Sequence, residues 1–204
     1  MRKPRTATIA AALTTALALF AGFPTPAHAE IRTSDVILGT TAADRGIVQG
    51  ELPDITAPHA MVLGQDGLAY YERNADEPIK IASVTKVMTA LVALEHCELT
   101  DIVTVDHSAA TVGESSLGLL EGDVLTMEDA LTGLMVMSGN DAATAIAIAA
   151  GAKIDPATTD PYSTFIEAMN QKAKELGCTD TVFENPHGLD FDSWAAICIR
   201  LRAT

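Results

Sequence analysis

The sequence predicts an α+β fold with a mostly helical middle, on three observations. Two short strand-like runs, Ala60–Leu63 and Leu68–Arg73, flank the turn-forming tetrapeptide GQDG at 64–67. Helical patterns, amphipathic or wholly apolar, then fill the chain from Ser83 to Leu176. A last strand-like run with a turn, TVFENPHGL at 181–189, follows the helices. Strands and helices segregated along the chain give α+β layers rather than the alternating units of a parallel sheet.

The N-terminus reads as a leader. Arg2, Lys3 and Arg5 form a cationic start, Ala7–Phe23 an apolar run, and Ala27-His28-Ala29 a small-x-small cleavage site, so residues 1–29 are expected to be a secretory signal peptide. Losing those three cations and no acid takes the net charge from −14 to −17. The expected product is an acidic domain exported to the cell envelope or periplasm. Its charge excludes nucleic acid as a partner, because phosphate binding needs a basic face. With 48% apolar and 20% charged residues, a packed core is expected.

Glu30–Ile55 carries few periodic signals and predicts a surface lead-in with one short element. The hairpin around GQDG follows, then the polar loop NADEP at 74–78. After Ser83, apolar Val84, Val87, Met88, Leu91 and Leu94 recur at helical spacing, and Val92 widens the stripe, which predicts a well-buried helix. Thr104–Gly122 reads as irregular, including the loop GESSLGLLEGD at 113–123. Thr126 with Asp129 three residues on forms a capping-box pair opening the next helix, with Met127, Ala130, Leu131, Leu134 and Met135 on its apolar face. SGND at 138–141 interrupts it, with Asn140 or Asp141 as the expected cap of the following helix. Ala142–Ala150 is apolar on nearly every side, the mark of a core helix, and Gly151 is the expected terminator. Asp160-Pro161 are N-cap and N1 of a final helix with Phe165, Ile166, Met169, Ala173 and Leu176 as its stripe, stopped by Gly177.

Cys97, Cys178 and Cys198 are odd in number and lack a C-x-x-C pair, leaving one disulfide plus a thiol, or unpaired thiols. No histidine spacing suggests a metal site, and neither a catalytic metal nor a cofactor is expected.

The stretch IASVTKVMTA at 81–90 carries chemistry. Residues i and i+3 share a helix face with Cβ atoms about 5–6 Å apart, so the Ser83 hydroxyl and Lys86 amine can meet. A helix start disfavours a cation, and burial among Val84, Val87 and Met88 would do the same. Both push Lys86 toward the neutral amine, which can take the serine proton. The plain alternative is Ser83 as an N-cap beside a solvated lysine. Ser138-Gly139-Asn140 adds a second polar break, offering a hydroxyl for proton relay, an amide for a substrate peptide group, and a glycine for close approach or unusual dihedrals.

Ser-x-x-Lys followed by Ser-x-Asn is the order of motifs in penicillin-recognising serine enzymes. With IASVTKVMTALVALE, LTGLMVMSGNDAATAIA, SSLGLLEGD and FENPHGLD in sequence, the stretch Ala60–Leu189 resembles the D-alanyl-D-alanine carboxypeptidases, the low-molecular-mass penicillin-binding proteins. The resemblance implies part of a β-lactamase/DD-peptidase-like fold: a helical subdomain plus an incomplete antiparallel sheet, over residues 30–190. It implies a peptidoglycan stem peptide as substrate and β-lactams as inhibitors. Ser83 would be the nucleophile, Lys86 the general base, Ser138 the proton relay to the leaving amine, and Asn140 a substrate-binding amide. The backbone N–H of Ser83 would be half of an oxyanion hole.

The family's third motif, Lys-Thr-Gly or His-Thr-Gly, does not occur in the sequence, and resemblance fades near Asp190. Phe191–Thr204 is therefore expected to be a divergent tail, from truncation or a frameshift, and the chain as it stands to have impaired activity. Two further readings stay open. One is a class A-like β-lactamase, opposed by Gly139 within the second motif and by EAMN (Glu167–Asn170), which only approximates a deacylation loop. The other is a non-catalytic wall-binding paralogue. His187 is expected as a turn histidine satisfied by backbone, Glu114-Ser115-Ser116 as a solvated loop, and Trp194 is given no role.

Overall fold

The computed structural model describes residues 32, 34–47, 55–178 and 180–189. The expected leader, the tail from Phe191 with Trp194, and Cys198 lie outside the described residues. The chain divides into two compact units at Arg73.

In the first unit, β1 (Val36–Ile37), β2 (Thr40–Thr41), β3 (Ala60–Leu63) and β4 (Ala69–Arg73) form an antiparallel sheet of order β2-β1-β4-β3. GQDG closes the β3–β4 hairpin as expected: Gly64 N–H donates to Leu68 O at 2.9 Å, and Asp66 Oδ1 accepts from Leu68 N at 3.1 Å. The lead-in supplies two short strands rather than one element. Its anchor is Asp35, which is buried and accepts from Tyr71 Oη at 2.8 Å and Arg73 Nη2 at 2.8 Å. Arg73 also donates to the carbonyls of Ile55 and Ala57, so a buried ion pair stitches three segments.

In the second unit, a 3₁₀ turn (Ala82–Val84) leads into α1 (Thr85–His96). Then come β5 (Ile102–Thr104), the short α2 (His107–Ala110), β6 (Val124–Thr126), α3 (Met127–Val136), α4 (Asn140–Ile154) and α5 (Pro161–Glu175). The core helix is α4. Its alanines and Ile146 are nearly all buried, and it packs on α1, α2, α3, α5 and β5. Met127, Leu134, Phe165 and Met169 from the flanking helices complete the core. Thr126 and Asp160 cap α3 and α5 as expected, accepting from Asp129 N and Ser163 N, each at 3.1 Å.

Five further expectations need correction. The apolar stripe of α1 is not its buried face: Val84 is 55% and Val87 56% exposed, as is much of Leu91 and Leu94, while Thr85, Lys86, Thr89, Val92 and Ala93 are buried. Periodicity shows which residues share a face but not which face is covered. Gly151 does not end α4, which runs to Ile154; a Cβ there would meet Pro161 O at 1.8 Å, so the glycine serves close approach of α5. Thr104–Gly122 is not wholly irregular, because Thr104 ends β5 and α2 lies within the stretch. The run 181–183 forms no strand among the described residues. Asn170 takes the place of a strand partner, its Oδ1 accepting from Phe183 N at 2.7 Å and its Nδ2 donating to Phe183 O at 2.8 Å. The N-cap of α4 is Gly139, with no side-chain cap bond, and the side chains of Asn140 and Asp141 reach elsewhere. Among the described residues Cys97 and Cys178 form no disulfide.

Candidate active site

Ser83 lies in the 3₁₀ turn that opens α1 and is exposed, while Lys86, on the first turn of α1, is 2% exposed. The residue before the serine, Ala82, has φ +47°, a strained value for a residue with a Cβ. Lys86 Nζ is 3.0 Å from Ser83 Oγ, 2.7 Å from Asn140 Oδ1 and 3.0 Å from the His187 carbonyl. Three segments far apart in sequence therefore meet at one nitrogen.

The chemistry follows from the donor count. A neutral amine has two hydrogens and one lone pair. Asn140 Oδ1 and His187 O are acceptors only, so they take the two hydrogens. The lone pair is left for the third neighbour, the Ser83 hydroxyl. Burial pushes the Lys86 pKa below its ordinary 10.5, and no carboxylate among the described residues opposes it. The lysine is desolvated not by Val84 and Val87, which face outward, but by its seat against Asn140 and the 186–188 turn.

That turn is pressed onto the start of α1. Thr89 Oγ1 donates to Pro186 O at 2.6 Å, and Asn185 Oδ1 accepts from Gly188 N at 2.6 Å. Gly188 has φ +84°, and a Cβ on it would sit 1.9 Å from Ala82 O, so only glycine fits. The His187 ring is buried and its Nδ1 accepts from Leu189 N at 3.1 Å. Burial, with the nearby Lys86 charge, lowers its pKa to about 4. The ring is thus a turn histidine held by backbone, as expected, but its carbonyl belongs to the site. No sequence signal marks that contact, since any residue supplies a carbonyl.

Asn140 is fixed in orientation. Its Nδ2 donates to Gly113 O at 3.0 Å, which leaves Oδ1 facing Lys86. Ser138 is half-buried with φ +55°, so the unusual dihedral falls on the serine; Gly139 has φ −64° and leaves room for Leu117. Ser138 Oγ makes no hydrogen bond among the described residues. Glu114, Ser115 and Ser116 are exposed as expected, yet Ser115 O accepts from Asn140 N at 2.7 Å, tying the loop to the site. Glu167 is exposed on α5 and Asn170 is held by Phe183, so EAMN takes no part here.

An exposed serine in contact with a buried lysine, with no carboxylate beside it among the described residues, has the geometry that a serine–lysine acyl-transfer centre requires. The family model of the D-alanyl-D-alanine carboxypeptidases, Peptidase S11, matches residues 47–196, and the chain belongs to that family. It is 35% identical over 140 residues to the D-alanyl-D-alanine carboxypeptidase DacF of Bacillus subtilis, covering 65% of this chain and 34% of that one. To DacC of Escherichia coli it is 38% identical over 136 residues, 61% of this chain and 32% of the relative. Among solved structures, a D-alanyl-D-alanine carboxypeptidase from Mycobacterium tuberculosis matches with TM-score 0.63 and 29% identity, over 74% of this chain and 55% of that one. The Streptomyces K15 DD-transpeptidase matches with TM-score 0.62 and 31% identity, over 71% and 56%. The chain spans about a third of the length of these curated relatives. The fold is accordingly part of the DD-peptidase fold, helices with antiparallel sheets.

Proposed function

We propose that the protein is a serine-type D-alanyl-D-alanine carboxypeptidase that trims peptidoglycan stem peptides and binds penicillin. The observation that carries this reading is the 3.0 Å contact between exposed Ser83 Oγ and buried Lys86 Nζ, whose other two partners can only accept. Lys86 as the amine takes the hydroxyl proton while Ser83 Oγ attacks the carbonyl of the D-Ala–D-Ala bond. The partial positive charge of the α1 N-terminus favours the negative charge that develops there. Ser138, beside Asn140, passes the proton to the leaving amine. Asn140, already aligned by Gly113, offers its amide to the substrate backbone. Water then releases the acyl group from Ser83. The cationic and apolar leader supports export to the cell envelope, where such a substrate lies.

The test is incubation of the folded chain with a fluorescent penicillin, with Ser83→Ala as control. Stable label that depends on Ser83 is the expected result. Label that turns over rapidly points to a β-lactamase instead. A folded chain that takes no label points to a wall-binding protein without catalysis.

A further inference from the structure

Asp141 directly follows the site's asparagine, yet the function above gives it no part. It is 1% exposed and has no cationic partner among the described residues. Its carboxylate instead gathers donors from the loop that crosses in front of α4. Oδ2 accepts from Ser116 Oγ at 2.6 Å and from the backbone N–H of Leu117, Gly118 and Leu119 at 2.9, 3.0 and 3.1 Å. Oδ1 accepts from Leu117 N at 3.0 Å and Ala142 N at 2.8 Å. Burial raises the carboxyl pKa, but these bonds outweigh it and hold the group below the usual range, so it is ionised. One end of the loop is thus fastened by Asp141. The other end is fastened by Asn140, through Ser115 O and Gly113 O.

An asparagine amide can present either its oxygen or its nitrogen to a neighbour. Gly113 O decides which, by accepting from Nδ2. If that carbonyl moves, the amide is free to turn its NH₂ toward Lys86, which already donates there. We propose that Asp141 is a positioning residue: by clamping residues 116–119 it holds the Gly113 carbonyl against Asn140, and so keeps the Asn140 oxygen on Lys86. This rests on Ser83 and Lys86 being the reacting pair.

The test uses the full chain with Asp141→Asn. An amide in place of the carboxylate sets its NH₂ against at least two N–H donors, whichever way it turns. Ser116→Ala removes one donor and leaves the backbone bonds. Thr126→Ala, which removes the N-cap of α3 and none of the clamp's own bonds, controls for lost stability. Two readouts are compared: hydrogen exchange of the Asn140 side-chain amide by NMR, and the pH dependence of Ser83 acylation by saturating penicillin. We expect Asp141→Asn to speed amide exchange and slow acylation by about tenfold or more, with a displaced pH midpoint, since small misplacements near a reacting pair can cost up to about a hundredfold. Ser116→Ala should shift both in the same direction by less, and Thr126→Ala neither. Unchanged amide protection and an unchanged pH profile in folded Asp141→Asn, or in Ser116→Ala should the first fail to fold, would overturn the proposal. An unsubstituted chain that takes no label would overturn the Ser83 reading alone, and the exchange comparison would then decide the role of Asp141.

Discussion

Gly188→Ala is the smallest change that should dismantle the candidate site without touching a functional side chain. The added Cβ would lie 1.9 Å from Ala82 O and 2.4 Å from Ala82 C, both backbone atoms with no rotamer to yield. Ordinary contact begins near 3.4 Å, so the 186–188 turn must retreat by about 1.5 Å. The Lys86–His187 O bond, 3.0 Å now, then stretches past hydrogen-bonding range, and Thr89 loses Pro186 O as well. Two lost bonds at about 1 kcal/mol each, with about 1–2 kcal/mol for a Cβ at φ +84°, give a loss of about 3–4 kcal/mol. Thermal unfolding should fall by roughly 10 °C, and Ser83 acylation, measured below the new melting point, should slow because Lys86 has lost one of its two orienting acceptors. A variant that melts within about 2 °C of the parent and acylates at the parent rate would refute this account of the turn.

Three further outcomes are expected. Gly151→Ala gains about 1 kcal/mol of helix propensity, but its Cβ meets Pro161 O at 1.8 Å, so calorimetry should show a net loss of about 1–3 kcal/mol as α4 and α5 are forced apart. Asp35→Ala leaves Arg73 buried and unpaired and should destabilise the first unit by about 3–5 kcal/mol in denaturant unfolding. His187 is neutral when folded, with a pKa of about 4 against 6.5 unfolded, so between those values the unfolded chain binds the proton and the folded one does not. Stability should fall as pH drops from 6.5 to 4, by up to about 3 kcal/mol, and unfolding midpoints of His187→Gln should lose that slope.

Spacing set the candidate residues side by side, and the family resemblance gave them their expected roles. Ser83 and Lys86 are three apart at a helix start, and Asn140 sits in a polar break between apolar helices; the fold brings all three to one point. What spacing could not show was the third partner of Lys86, a backbone carbonyl. Helix boundaries at Thr126 and Asp160 were legible because their capping side chains act locally. The buried face of α1 was not, because Val84, Val87, Leu91 and Leu94 look like core while Thr85, Lys86 and Thr89 look like surface. Their burial comes from partners about 50 and 100 residues away, Asn140 and the 186–187 turn. Strands β5 and β6, three residues each, were too short for a period-two pattern to register. The strand expected at 181–183 was misread because Asn170 satisfies that backbone through a side chain, which strand propensity does not anticipate.

The central claim is that Lys86 acts as an amine. Its titration can be followed by NMR while Ser83 acylation by a β-lactam is measured over the same pH range. Both should rise together through one midpoint below the ordinary lysine value of 10.5, and Lys86→Arg, whose guanidinium cannot give up its proton, should not acylate. Acylation that survives Lys86→Arg, or a Lys86 midpoint at or above 10.5, would contradict the account.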